Sequence, residues 1–143
     1  MQITIQRVDK ELPLPAYKTS GAVAFDLVSR VSIVVPPGEV VYAPLNVIIA
    51  TPAGHMLLLA ARSSLHKRGL MMANNVGLID QDYCGANDEI MAPLFNMTKQ
   101  PVTIARGERI MQAAIVPITN VTWNEVDTID TASRGGFGTT GDH

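Results

Sequence analysis

The feature that most limits what this chain can fold into is a succession of short β-branched runs, each closed by proline or glycine. Residues 3–8 alternate as Ile-Thr-Ile-Gln-Arg-Val. Residues 31–35 read Val-Ser-Ile-Val-Val and stop at Pro36-Pro37-Gly38. Runs at 40–42 and 47–49 lead to the turn Thr51-Pro52-Ala53-Gly54, and an apolar stretch covers 55–61. Segments 90–96, 102–104 and 109–118 complete the set. Branching at Cβ favours extended backbone, and proline or glycine ends it in turns. Runs recurring at roughly 8–12 residues, with no long helical period, predict an antiparallel all-β sandwich or jelly roll. Only 64–69 has room for a helical turn.

At 143 residues the chain is expected to form one domain, and 47% apolar residues suffice for a core. A net charge of −2 gives no basic field, which argues against nucleic acid as the main partner. Any anion site must therefore be built locally. The single cysteine, Cys84, excludes an internal disulfide framework and fits a reducing compartment. The start MQITIQRVDKELPLP has no apolar segment after a basic one, so no signal peptide is read and a cytoplasmic location is expected. No apolar run reaches the roughly 18 residues of a membrane helix, so no membrane partner is expected. The positive mean hydropathy of +0.18 hints that some apolar surface closes between subunits.

Five segments stand out chemically. The end of the chain, Arg-Gly-Gly-Phe-Gly-Thr-Thr-Gly-Asp-His from Arg134, cannot build a core. Its glycines allow close backbone approach, and its N–H groups, threonine hydroxyls and arginine suit phosphate oxygens. Phe137 offers a flat face to a base. Residues 74–85 run Asn-Asn-Val-Gly-Leu-Ile-Asp-Gln-Asp-Tyr-Cys-Gly, which reads as a β-hairpin with a polar tip. A carboxylate held there can orient and deprotonate a water. Arg62-Ser63-Ser64 follows an apolar strand and can cradle an anion, or simply cap a helical turn. Gly107 to Gln112 is a turn entering a strand, with Arg109 available to buttress an acid and Gln112 to donate an amide. Asp26, between Phe25 and Leu27, needs a donor such as Arg109 if it is partly buried. His55, His66, His143 and Cys84 lack zinc-ligand spacing, and neither a P-loop nor a dinucleotide fingerprint is present.

Taken in order, Ala24-Phe25-Asp26-Leu27, Arg62-Ser63-Ser64, Gly77 to Tyr83, Gly107 to Gln112 and Arg134 to Gly141 resemble the five motifs of trimeric dUTPases. The resemblance implies a jelly-roll β-barrel assembled as a homotrimer with shared active sites. It divides the chain into a catalytic barrel, 1–118, and a C-terminal arm, 119–143, whose flexible glycine-rich end closes over a neighbour's site. It implies hydrolysis of dUTP to dUMP and pyrophosphate by water attack on the α-phosphate. That reaction keeps uracil out of DNA and supplies dUMP for dTMP synthesis. Mg²⁺ is expected as cofactor, bound through the substrate phosphates and not directly by the protein.

By motif position Asp80 would activate the water and Tyr83 would pack under the deoxyribose, leaving no room for a 2′-hydroxyl. Asn74 and the backbone of Gly77 and Leu78 would read the uracil edge. Arg62, Ser63, Ser64 and Gln112 would reach the phosphates from a second subunit. Phe137 would stack on uracil, with Arg134, Gly138, Thr139 and Thr140 around the terminal phosphates from a third. Asp26 and Arg109 would be supporting residues. The sequence departs from the family pattern at Phe25, Ala61 and Cys84, in a longer segment after Gly85, and in a short Arg134-to-Phe137 spacing. A dCTP deaminase-like enzyme and a non-catalytic trimeric nucleotide-binding module are the alternatives.

Overall fold

A computed structural model describes residues 1–136; Phe137, Gly138, Thr139 and Thr140 lie outside the described residues. The β-branched runs become strands. They are β1 (Thr4–Arg7), β2 (Phe25–Val28), β3 (Ile33–Val35), β4 (Val40–Pro44), β5 (Val47–Ala50) and β6 (His55–Ala61). They continue with β7 (Leu70–Met72), β8 (Val76–Ile79), β9 (Met91–Asn96), β10 (Val102–Ile104) and β11 (Arg109–Pro117). A 3-10 turn, Leu65–Arg68, fills the place where one helical turn is expected. It ends at Gly69, whose φ of 73° lies in the left-handed region that glycine enters without cost.

All pairings are antiparallel. A four-stranded sheet in the order β2-β11-β6-β8 faces a three-stranded sheet β4-β9-β7, with the pairs β1-β5 and β3-β10 closing the ends. Neighbours in space are distant in sequence, and the strands build a jelly-roll barrel. Alternation puts Leu57 and Leu59 of β6, Ala92 and Leu94 of β9 and Met111 and Ala113 of β11 into one buried core. On the opposite face of the three-stranded sheet, Val40, Tyr42, Met71 and Met91 stay exposed.

Two strands, β2 and β7, were not anticipated. The hairpin expected at 74–85 does not form either. β8 pairs with β6 over Leu57↔Ile79 to Ala60↔Val76, and residues 80–89 are turns and bends. The long apolar β6 offers β8 a full ladder, whereas the following chain is drawn to β5: the Ile90 N–H donates to the Val47 carbonyl at 3.0 Å. After Pro117 the chain has no helix or strand up to residue 136, and Val121, Trp123, Val126 and Ile129 are exposed along it. Among the described residues no helix is long and apolar enough to cross a membrane.

Candidate active site

The first cluster forms where β2, β6 and β11 meet. A β-bulge shifts the β11 register between Arg109 and Met111, which sets Gln112 opposite Asp26. The Asp26 carboxylate, 13% exposed, accepts from two arginines: Arg62 Nε at 2.9 Å on one oxygen and Arg109 Nη1 at 2.9 Å on the other. Arg62 Nη1 also donates to the Arg109 carbonyl at 3.2 Å, and Gln112 Nε2 donates to the Ala61 carbonyl at 3.0 Å. Burial of one carboxylate is thus compensated by two charge-assisted bonds, and the cluster keeps a positive charge. An adjoining cleft of about 360 Å³ is lined by Arg62, Ser64, Lys67, Arg68 and Arg109, with Glu108 paired to Arg68. Ser64 begins the 3-10 turn without making a side-chain capping bond, and Ser63 beside it is exposed. The arrangement suits a multiply charged anion.

The second cluster lies at the other end of β6. Asp80 follows the last residue of β8 and is exposed. It borders a cleft of about 470 Å³ with His55, Met56, Gln81, Asp82, Ile118 and Asn120. Gln81 Nε2 donates to the His55 carbonyl at 3.0 Å, which ties the acidic turn to the start of β6. Tyr83 is 40% exposed, and its hydroxyl donates to the Glu89 carbonyl at 3.1 Å. Gly77 is buried because it crosses Leu59: a Cβ there would sit 3.1 Å from the Leu59 Cβ. Leu78 points outward, 63% exposed. β8 is the edge of its sheet, so one row of its backbone N–H and C=O groups has no strand partner among the described residues. Asn74 precedes β8 at the end away from Asp80.

These clusters do not meet within one copy. The β6–β8 register brings Asp80 beside Met56, while Arg62 lies past the far end of β6. At about 3.3 Å per residue the separation is roughly 20 Å. Arg134 is exposed near the end of the described chain, and no hydrogen bond or ion pair among the described residues joins it to either cluster. Sequence reasoning missed the surroundings of Glu89. Its carboxylate is held by Arg30 in a two-pronged pair at 2.8 and 2.9 Å and by the Asn46 N–H at 2.8 Å. The Glu89 bond raises the pKa of Arg30 further, against a smaller opposing effect of burial. The acidic extension after Gly85 was the only signal for it. Among the described residues no group of three His, Cys, Asp or Glu is placed to hold a metal ion. Both Asp26 oxygens are engaged by arginine, so this carboxylate is not free to hold a cation.

Fold and site together define a jelly-roll β-barrel with a cationic end and a separate acidic tip. Residues 10–141 match the family model described as dUTPase. A deoxyuridine 5'-triphosphate nucleotidohydrolase of Dictyoglomus turgidum is 39% identical, covering 99% of each chain. One of Hahella chejuensis is 40% identical over 99% of this chain and 95% of its own. The solved dUTPase of Streptococcus mutans superposes with a TM-score of 0.76 at 31% identity, covering 83% of this chain and 98% of that one. A dUTPase of Staphylococcus bacteriophage 80alpha, solved with dUPNHPP, reaches a TM-score of 0.86 over 98% of both chains, and at 22% identity it speaks to the fold alone. The chain belongs to the dUTPase family.

Proposed function

We propose that this protein hydrolyses dUTP to dUMP and pyrophosphate in active sites shared between the copies of a homotrimer. The observation that carries the reading is the strand's length between Asp80 and Arg62, in a chain whose relatives bear the name of that activity. Asp80 and the Arg62 cluster stand at opposite ends of β6, so an Asp80 acting at the α-phosphate is completed by the Arg62 cluster of another copy. The apolar outer face of β4-β9-β7 and the exposed residues from Val121 to Ile129 give such copies surface to share.

In this arrangement the edge of β8, with Asn74, Gly77 and Leu78, pairs with the uracil edge. The Tyr83 ring packs on the deoxyribose. Asp80 aligns a water and takes its proton as the water attacks the α-phosphorus; the P–O bond to the β-phosphate breaks and pyrophosphate leaves. Arg62, Ser63, Ser64 and Gln112 of a neighbour hold the phosphates, while Asp26 and Arg109 fix the Arg62 guanidinium. The barrel, 1–118, carries these groups. The arm, 119–143, brings Arg134, Phe137, Gly138, Thr139 and Thr140 over a third copy's site. Phosphoryl transfer to water needs positioning and charge neutralisation more than covalent help. Mg²⁺ carried by the triphosphate supplies further positive charge.

Pyrophosphate release tests the reading, measured on dUTP, dCTP, dTTP and UTP with and without Mg²⁺, together with the mass in solution. Selective, Mg²⁺-dependent turnover of dUTP by a species near three times 15.4 kDa is expected. A monomer, or a protein inert toward dUTP, would overturn it.

A further inference from the structure

We propose that Glu89 is a positioning residue: by fixing the Tyr83 ring it sets how strongly the site rejects a ribose in favour of a deoxyribose. This rests on the role given to Tyr83 above and adds a residue that touches no substrate.

Tyr83 lies in a stretch without strand pairing, where its backbone N–H donates to the Asp80 carbonyl at 3.3 Å. The far end of the ring is anchored by its hydroxyl, which donates to the Glu89 carbonyl at 3.1 Å. That carbonyl belongs to a peptide group whose N–H, on Ile90, is bonded to the Val47 carbonyl of β5 at 3.0 Å. In a trans peptide the two groups point in opposite directions, so a bond inward to the barrel aims the carbonyl outward at the tyrosine. The Glu89 side chain prevents this peptide from turning. Only 14% exposed, it receives Arg30 Nε and Nη2 and the Asn46 N–H. Asn46 is itself buried and locked to Asp9, accepting from its N–H at 2.7 Å and donating to its carbonyl at 3.1 Å. The intervening loop is closed by Asp88, which accepts from the Gly85 N–H at 2.6 Å. The extended segment 85–89 thus links a ring at the sugar position to the barrel wall. A ring with one permitted pose cannot yield to an added 2′-oxygen; a loosened ring can.

The test is the ratio of kcat/KM for dUTP to that for UTP, in the full-length protein and its Glu89→Gln, Glu89→Ala, Tyr83→Phe and Glu89→Gln/Tyr83→Phe variants. Both Glu89 oxygens accept, so the amide of Glu89→Gln must turn its NH₂ toward a donor. The shape is kept while the anchor is lost. The ratio should fall about fivefold in Glu89→Gln, the size of one neutral hydrogen bond. The fall in Tyr83→Phe should be similar and the double variant no worse than either single. Lys99→Ala, at an exposed position between β9 and β10 that has no part in the brace, should leave the ratio unchanged. An unchanged ratio in Glu89→Gln, or additive losses in the double variant, overturns the proposal.

A second readout does not depend on turnover. In fluorotyrosine-labelled protein, the ¹⁹F line of Tyr83, assigned by its loss in Tyr83→Phe, should move toward the free amino acid in the Glu89 variants. The lines of Tyr17 and Tyr42 should stay in place. A motionless Tyr83 line removes the brace even if dUTP is cleaved. Wild-type protein inert toward dUTP removes the proposed reaction and leaves the brace to be decided by that line.

Discussion

Arg62 and Asp26 are joined side chain to side chain at 2.9 Å, and the same carboxylate holds Arg109 at 2.9 Å on its other oxygen. Asp26 therefore acts as a clamp that pre-orients one guanidinium. Its replacement by Asn leaves two arginines short of a charged acceptor. An unfolding free energy lowered by about 1–2 kcal/mol in urea titration is expected, since the arginines are partly exposed and screened. Arg62→Lys keeps the charge but loses the planar fork, so kcat/KM for dUTP should fall by about tenfold to a hundredfold.

Asp80→Asn should separate chemistry from folding. The Asp80 carboxylate is exposed, and its side chain makes no ion pair among the described residues. Thermal unfolding and binding of a non-hydrolysable dUTP analogue should be unchanged. Single-turnover pyrophosphate release should slow by at least about 10²-fold, the contribution of a general base.

Gly77→Ala should be destabilising although it only adds a methyl. The new carbon would meet the Leu59 Cβ at 3.1 Å, across a ladder fixed by the Leu59↔Gly77 pairing. Overpacking of this kind costs about 1–3 kcal/mol, partly offset by the stiffer unfolded chain. A lower urea midpoint with an unchanged m-value is the expected result.

Acid should find the Asp9–Arg106 pair. The Arg106 guanidinium, bonded to Asp9 at 2.7 Å, holds that carboxyl below its usual range, and the Glu11 N–H assists. A folded pKa below the unfolded one means that the contribution is complete above the unfolded value. It is lost as pH falls through the lower, folded value. Stability of the wild type and of Asp9→Asn should therefore converge below about pH 4, with the wild type ahead above it.

Truncation after Gly136 removes Phe137 and the two threonines from the proposed lid. A stacked base is worth about 1–3 kcal/mol and each charged phosphate bond about as much. A loss in kcat/KM of about 10²-fold or more is expected. Equal hydrogen-exchange protection of residues 137–141 with and without the analogue would count against closure.

Much of the barrel was legible because its strands announce themselves locally. β3, β4, β5, β6 and β11 are β-branched or apolar runs bounded by Pro and Gly. β2 was hidden by the acid at its second position, and β7 by Leu-Met-Met, side chains without the Cβ branching that marks a strand. The hairpin at 74–85 was misjudged because local alternation cannot reveal that β6 competes for β8. At the site, the order of motifs was readable, yet the second arginine on Asp26 and the Arg30–Glu89 pair were not. Arg30 and Glu89 are 59 residues apart, and only the closed barrel makes them neighbours.

The length of β6 has a final consequence. On the proposed sharing of sites, with the acid at one end and the cations at the other, competence is a property of the company a copy keeps. Mixing Asp80→Asn protomers with Arg62→Lys protomers should restore some sites by complementation, since each supplies what the other lacks. Dilution should silence the wild type more steeply than first order, because what disperses is the reaction centre itself.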